Sequence, residues 1–411
     1  MTDVITSGPE RPDRRRLPRW LILAVVAVAA VGAVRLWGGV SGGPRAEPSP
    51  TAAVPRPADT TPPARVATFR LEGRPGAVPD GLRLLINGTF TLAGKTTSPA
   101  TVAADGKVTP LPGVRPAVQL PTSVQRLAGA TAVVVQNQGF RPVDTYVVPD
   151  HGGTVHLGAG LDTVLAGYGG GYLAADSGTT EGQTGRLVGY SDTGQKRWER
   201  KLADPTYFIR DTAYGLLAEV IAPTAEGQEN QPEHGSLALL DPRTGRLVHG
   251  IGGVDYVLAS TAEKVAWIPY GCGEWPGHCT IAVTDLRTRS QQTISLPRGR
   301  APSTAAFSPN ATMLALGFAG QHEFTDQVDP DGYVSVLSLG TETFQRMPGL
   351  TTQAKQAPTL AWGADLQLVL GVHVSDTEDR LLLYSPGWPG PIVLPPRLTP
   401  YSASTYLAVL A

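Results

Sequence analysis

Residues 303–320 read STAAFSPNATMLALGFAG, and residues 332–349 read GYVSVLSLGTETFQRMPG. Together they hold four apolar runs of four to six residues, TAAF, MLALGF, YVSVLS and TFQR. Pro309-Asn310, the polar stretch 321–331 and Gly340-Thr341 separate them. Such runs are too short for helices, lack a helical period and are bounded by turn formers, so each predicts a strand. Four strands in succession make a small antiparallel sheet. One such sheet has nothing to cover its two faces, so it needs like sheets on either side.

The same grammar continues in both directions. Units of about 45 residues run over 124–158, 162–202, 207–253, 256–297, 303–349 and 357–396, with a degenerate copy at 82–114. Each is expected to hold an apolar inner strand, a second strand, a variable loop, a third strand with a turn such as Asp241-Pro-Arg-Thr-Gly245, and a short fourth strand. Repetition at this period predicts an all-β protein, a β-propeller. The units count to about seven four-stranded blades, with six or eight as alternatives. Residues 401–410, YSASTYLAVL, read as an inner strand without a blade of its own. They are expected to complete the first blade and latch the ring.

Two motifs carry a resemblance. Phe307-Ser308-Pro309-Asn310 followed by Met313-Leu314-Ala315 resembles the FSPDG-x-x-LA motif of TolB-type, WD40-like propeller repeats, with Asn310 for the usual Asp and Ala311 for the usual Gly. Asp192-Thr193-Gly194 with Trp198 resembles the quinoprotein-type repeat. Asp241 to Gly245 repeats that turn, but His249 stands where the Trp would be. The layout as a whole is similar to that of actinobacterial membrane-anchored TolB-like or WD40-like propeller proteins. The resemblance implies the architecture and no particular activity.

The rest of that layout lies upstream. Residues 1–19 form a basic tail with Arg11, Arg14, Arg15, Arg16 and Arg19. Residues 20–40 are apolar apart from Arg35, and Trp20 and Trp37 stand about 25 Å apart along a helix. This predicts one transmembrane helix seated in the lipid bilayer, with Arg35 snorkelling to the headgroups. The preceding basic cluster predicts a cytoplasmic N-terminus and an exported remainder, hence a single-pass protein of the cell membrane. The rival reading is a cleaved signal peptide. The proline-rich stretch 41–65 reads as an extended stalk, and 66–411 as the extracytoplasmic propeller.

Charged residues are only 17% of the 411 and the formal net charge is −1, which excludes a nucleic-acid binder working through bulk positive charge. The 48 Gly and 37 Pro exclude a coiled coil or long helical bundle. The two cysteines, Cys272 and Cys279, enclose GEWPGH. Export implies an oxidising compartment, so a disulfide is expected, with free thiols or a metal site as the other readings.

Strand direction alternates within a blade, so every loop from second to third strand leaves on the same side of the ring. In the last five units these loops are read at 176–184, 222–235, 270–279, 319–332 and 373–379. They contain no Lys or Arg, although 34 residues of the chain are basic. The acidic residues taken as a candidate binding face are Glu226, Glu229, Glu233, Glu274, Glu323, Asp326, Asp329, Asp331, Asp376, Glu378 and Asp379, with Asp176 and Glu181 beside them. One-sided negative potential suits a cationic partner. The bland reading is that exported loops are solubilising and Asp is a turn residue. Asp326, Asp329 and Asp331 ahead of Gly332 hint at calcium but depart from the D-x-D-x-D-G ladder, so no metal or cofactor is assigned.

No G-x-S-x-G, H-E-x-x-H or phosphate loop occurs, and the seven histidines form no ligand spacing. The sequence therefore predicts a non-catalytic binding or scaffold module for a protein, peptide or cell-envelope ligand, and no nucleic acid. The alternative is a propeller enzyme of lyase, lactonase or glycosidase type, with distant carboxylates and histidines meeting at the ring axis.

Overall fold

The apolar runs form strands. A computed structural model describes residues 70–71 and, between 81 and 410, all but 88–89, 93–94, 98, 115–122, 128, 137–141, 168–170, 178–184, 222–234, 273–278, 298–300, 320–331, 352–356, 376–377 and 399–405. The tail 1–19, the apolar segment 20–40 and the stalk 41–65 lie outside the described residues. Among the described residues every regular element is a strand, and no helix is long and apolar enough to cross a membrane.

Four sheets follow the chain directly, each with its strands in sequence order and antiparallel. One runs through Ser123–Leu127, Ala130–Gln136, Pro142–Pro149 and Val155–Gly158. The next runs through Thr163–Gly167, Gly171–Asp176, Arg186–Ser191 and Lys196–Lys201. Two more comprise Thr304–Phe307 to Thr343–Arg346 and Thr359–Trp362 to Ile392–Leu398.

Between them lies a seven-stranded sheet from Thr206–Thr212 to Gln291–Ser295. Its middle strand, Leu247–Ser260, is long and does two jobs. Residues up to Val254 pair with Gly235–Leu240, and from Val254 onward the strand pairs with Lys264–Pro269. It is the outer strand of one four-stranded unit and the inner strand of the next. Gly250, Gly252 and Gly253 precede Val254, where the pairing changes over.

The remaining sheet is assembled from both ends of the described chain. Tyr406–Leu410 pairs antiparallel with Arg83–Asn87, from Arg83 opposite Leu410 to Asn87 opposite Tyr406, and Ala100–Ala103 and Val108–Pro110 complete it. Of the segment 401–410, the described residues 406–410 latch the first unit as the sequence predicts, and 401–405 lie outside the described residues. Two small pairings had no sequence signal: the hairpin Phe90–Leu92 with Lys95–Thr97, and Arg70–Leu71 against Leu350–Thr351.

Apolar alternation explains how the sheets stack. Along Met313–Phe318, Leu314, Leu316 and Phe318 face a cluster with Ala266, Ile268 and Ile281, while Ala315 faces the opposite way, toward Leu368 and Leu370. Val265 and Trp267 pack with Leu217 and Leu239. Leu173 and Ala175 pack with Leu216 and Ala218, while Ala174 joins Ala132 and Val147. Leu84 and Ile86 meet Val369 and Leu381, and Leu85 between them meets Val124 and Val133. A continuous apolar run is therefore two period-two stripes serving two neighbours. Each fully buried Leu removes enough apolar surface from water to contribute about 1.5–3 kcal/mol.

The contacts also close a circuit. Neighbouring inner strands touch along the chain, Arg210 Nε of Thr206–Thr212 donating to Ser260 Oγ of Leu247–Ser260 at 3.1 Å; Thr304–Phe307 meets Thr359–Trp362, and Tyr406–Leu410 touches both Thr359–Trp362 and Ser123–Leu127. Single hydrogen bonds tie the inner strands across the gaps. Thr304 Oγ1 donates to Pro358 O at 2.6 Å, Trp362 Nε1 to Ala306 O at 2.9 Å and Tyr256 OH to Pro302 O at 3.0 Å. This is the packing of a propeller.

Third-to-fourth-strand turns reuse one device. Asp241 Oδ1 accepts from Arg243 N, Thr244 N and Thr244 Oγ1, and Asp285 Oδ1 accepts from Arg287 N, Thr288 N and Thr288 Oγ1. The turn ends in a left-handed residue, Gly245 (φ 67°) in the first and Arg289 (φ 61°) in the second. Ala311, in the place of the usual motif Gly, also has a positive φ of 50°.

Candidate functional site

Within each four-stranded unit the chain reverses at every turn. The second-to-third connections and the starts of the inner strands therefore share one side of the ring. The strand ends that feed this side are described, and most of the loops are not. Glu226, Glu229, Glu233, Glu274, Glu323, Asp326, Asp329, Asp331 and Asp376 lie outside the described residues, as does Glu181. Glu378 belongs to a strand, opposite Ser375, and its side chain lies outside the description.

Asp379 sits differently from its sequence reading as a loop charge. Residues 373–375 and 378–379 are ends of paired strands: Leu368–Ser375 and Glu378–Tyr384 pair out to Ser375 opposite Glu378 and leave only 376–377 between them. His373 is directly opposite Asp379, and its Nδ1 lies 2.9 Å from Asp379 Oδ1. Asp379 is 9% exposed. Burial raises its carboxyl above the ordinary value, and the His373 bond partly opposes that. Asp379 holds a hairpin together and is not a solvent-facing charge.

Asp176 is also a strand residue. It closes the Gly171–Asp176 strand opposite Arg186, whose Nε donates to Asp176 Oδ2 at 3.1 Å. Arg186 reaches Glu199 Oε1 at 3.5 Å and donates to Gly160 O as well. The acidic side thus carries at least one cation, just inside the loop boundaries.

Three further carboxylates stand on this side, and sequence reading did not single them out. Asp162 precedes an inner strand and accepts from Ser177 N at 2.8 Å and from the Ser177 hydroxyl. Burial, outweighing those bonds, pushes it up to about 6. Glu219 lies near the end of Gly215–Ile221, opposite Leu237. Burial, and then the charge of Asp255, push it up to about 7. Gly235 makes room for it, since any Cβ there would collide with the Glu219 carboxylate. The sequence signal was present: Glu219 is the lone charge in the apolar run GLLAEVI. Asp255 is exposed at the start of the next inner strand.

A second histidine–carboxylate pair, His156 Nε2 with Asp144 Oδ1 at 2.7 Å, lies on an outer strand, where His156 stacks on Tyr146. Among the described residues no three His, Cys, Asp or Glu converge as metal ligands. Cys272 and Cys279 are joined in a disulfide with Cα atoms 4.7 Å apart, and Cys279 belongs to the core cluster around Ile268 and Ile281.

No protein-family model and no curated protein matches the sequence. Solved structures resemble it at low identity. A chain of a mitotic checkpoint complex is 12% identical, with a TM-score of 0.43 over 90% of each chain. TolB from Acinetobacter baumannii is 11% identical, with a TM-score of 0.35 over 70% of this chain and 81% of that one. A puromycin-hydrolyzing peptidase of Mycobacterium tuberculosis is 14% identical, with a TM-score of 0.44 over 80% of this chain and 56% of its own. The propeller assignment rests on the sheet order, the alternating cores and the latch, and these likenesses add no argument about activity.

Proposed function

We propose that the chain is a seven-bladed, extracytoplasmic propeller, anchored in the cell membrane through residues 20–40. It acts as a non-catalytic binding module whose ligand is a cationic protein, peptide or cell-envelope component. The ligand docks on the side bearing the second-to-third-strand connections. The observation that carries this is the charge of those connections, which hold many carboxylates and no Lys or Arg in the last five units. Unbalanced charge on one side of a rigid ring speeds and orients encounter with a cation. The count of seven is supported by the long strand Leu247–Ser260, which divides the largest sheet into two units of four.

The test is capture from an envelope extract by the full chain in mild detergent. A partner is expected to be retained at low salt and released at about 1 M salt, where the screening length is about 3 Å. Replacing Glu226, Glu229 and Glu233 together with Lys should abolish its capture. Retention that ignores both salt and charge reversal would sink the reading.

One observation favours the enzyme alternative. Glu219 and Asp162 are pushed up toward neutrality, the condition a general acid needs. Hydrolysis of a lactone or glycoside that is lost in Glu219→Gln would establish that reading.

A further inference from the structure

Two third-to-fourth-strand turns rest on the outer strand of the unit before them. A Cβ on Gly194 would meet Val155 and the His156 carbonyl, and one on Gly245 would collide with the Leu202 side chain. The outer rim is therefore continuous across these units, and between units 162–202 and 207–253 it is basic.

Strand Lys196–Lys201 reads KRWERK, and all of it but the partly buried Trp198 is exposed. Its two faces differ. Glu199 stands opposite Val188 and pairs with Lys196 and Arg186, so that face is balanced. Trp198 and Arg200 stand opposite Gly189 and Leu187 on the other face, and Leu187 packs against Leu216 and Ala218 of the next unit. On that side lies the turn 241–246, DPRTGR, with Arg243 and Arg246 exposed. Its own carboxylate, Asp241, is engaged by the N–H groups of Arg243 and Thr244. Among the described residues Arg200, Lys201 and Arg246 have no carboxylate partner. Lys196, Arg197, Arg200, Lys201, Arg243 and Arg246 thus stand against three carboxylates, Asp192, Glu199 and Asp241.

Resting on the proposed anchoring through residues 20–40, we infer that this rim is a membrane-docking surface, which seats the ring edge-on against the phosphates of anionic lipid headgroups. Each Lys or Arg held near such a surface adds to the attraction. The second-to-third-strand connections, acidic and without Lys or Arg in the last five units, are repelled by the same surface. Attraction at the rim and repulsion at that side favour one orientation. Edge-on seating leaves the carboxylate side facing water, where a cationic ligand reaches it.

The test reconstitutes the full chain in nanodiscs of phosphatidylcholine, alone or with about one third phosphatidylglycerol, carrying an acceptor dye on the headgroups. A donor dye on Gln195→Cys, beside the basic strand, should transfer several-fold more energy in the anionic discs. A donor on Thr341→Cys, on the turn of unit 303–349, should not. Salt at about 1 M should erase the difference. Arg200→Glu, Arg243→Glu and Arg246→Glu together should lower the docked-to-free ratio roughly tenfold or more, while melting stays within a few degrees of wild type, as for exposed positions. Equal transfer from position 195 in both discs, or an equal rise at position 341, overturns the inference. Binding of soluble polyphosphate by a rim that ignores anionic discs overturns it in favour of a soluble polyanion. A chain that does not stay with neutral discs refutes the anchoring instead. Flotation with phosphatidylglycerol vesicles but not with phosphatidylcholine vesicles would then still support the docking rim, and flotation with neither would overturn it.

Discussion

The unit 303–349 and the closing unit are both four-stranded sheets in one ring, built in opposite ways. The first takes all its strands from 43 consecutive residues, Thr304 to Arg346, and its buried Leu314, Leu316 and Phe318 face a large cluster. The closing unit joins Arg83–Asn87 to Tyr406–Leu410, more than 300 residues away in sequence, and buries Leu84, Ile86 and Leu407. Local sheets gain their contacts at small entropic cost, while the seam must first bring distant segments together. Yet the seam decides whether the two neighbouring sheets have covered faces, so ring stability should depend most on its least local part.

The largest effect expected follows from removing residues 406–410. That strips a strand from Arg83–Asn87 and uncovers the clusters around Leu84 and Leu85. The full chain should lose its cooperative melting transition and its near-ultraviolet dichroism. A melting temperature within a few degrees of wild type would show that the seam is dispensable and break the comparison.

A smaller loss should come from replacing Cys272 and Cys279 together with Ser. In the chain-entropy picture a loop of this size contributes about 2.5 kcal/mol. Because this bridge lies beside the local sheets, the variant should melt several degrees lower while keeping one cooperative transition. Two separate transitions would instead mean that the bridge joins parts otherwise independent.

The third prediction concerns pH. Glu219 titrates near 7 in the folded chain and near 4.5 when free. A raised folded value means stability that is full below the free value and is lost as pH rises through the folded one. Between about pH 4.5 and 7 the chain should lose roughly 1–3 kcal/mol from this group, and Glu219→Gln should flatten that slope. Denaturant midpoints measured at pH 5 and pH 8 test it, and an unchanged slope in the variant would refute the assignment.

The smallest effect is a gain. Ala311 holds a left-handed conformation that costs a residue with a Cβ about 1 kcal/mol relative to Gly. Ala311→Gly should therefore raise the melting temperature by a few degrees, within the local unit and without touching the seam. A drop would mean that burial of the Ala311 methyl outweighs the backbone strain.

Most strands were legible because alternating or continuous apolar runs between turn formers have a single reading at this length. The latch was legible as an inner strand lacking companions. The hairpin at 373–379 was not, since HVSDTED has loop composition and only the cross-strand His373–Asp379 pair makes it a strand end. Glu219 was marked locally as the lone charge in GLLAEVI, but its raised carboxyl, like that of Asp162, depends on burial by neighbouring sheets, which no local window contains. The unit boundary read between 253 and 256 does fall where the pairing changes partner at Val254; hidden was only that one continuous strand, Leu247–Ser260, crosses it.

The pairing of Arg83–Asn87 with Tyr406–Leu410 also bears on biogenesis. A chain that emerges from its N-terminal side exposes residues 83–87 early and must wait for residue 410 before the circle can shut. Throughout synthesis the nascent protein would carry an unfinished sheet, the kind of surface that chaperones guard.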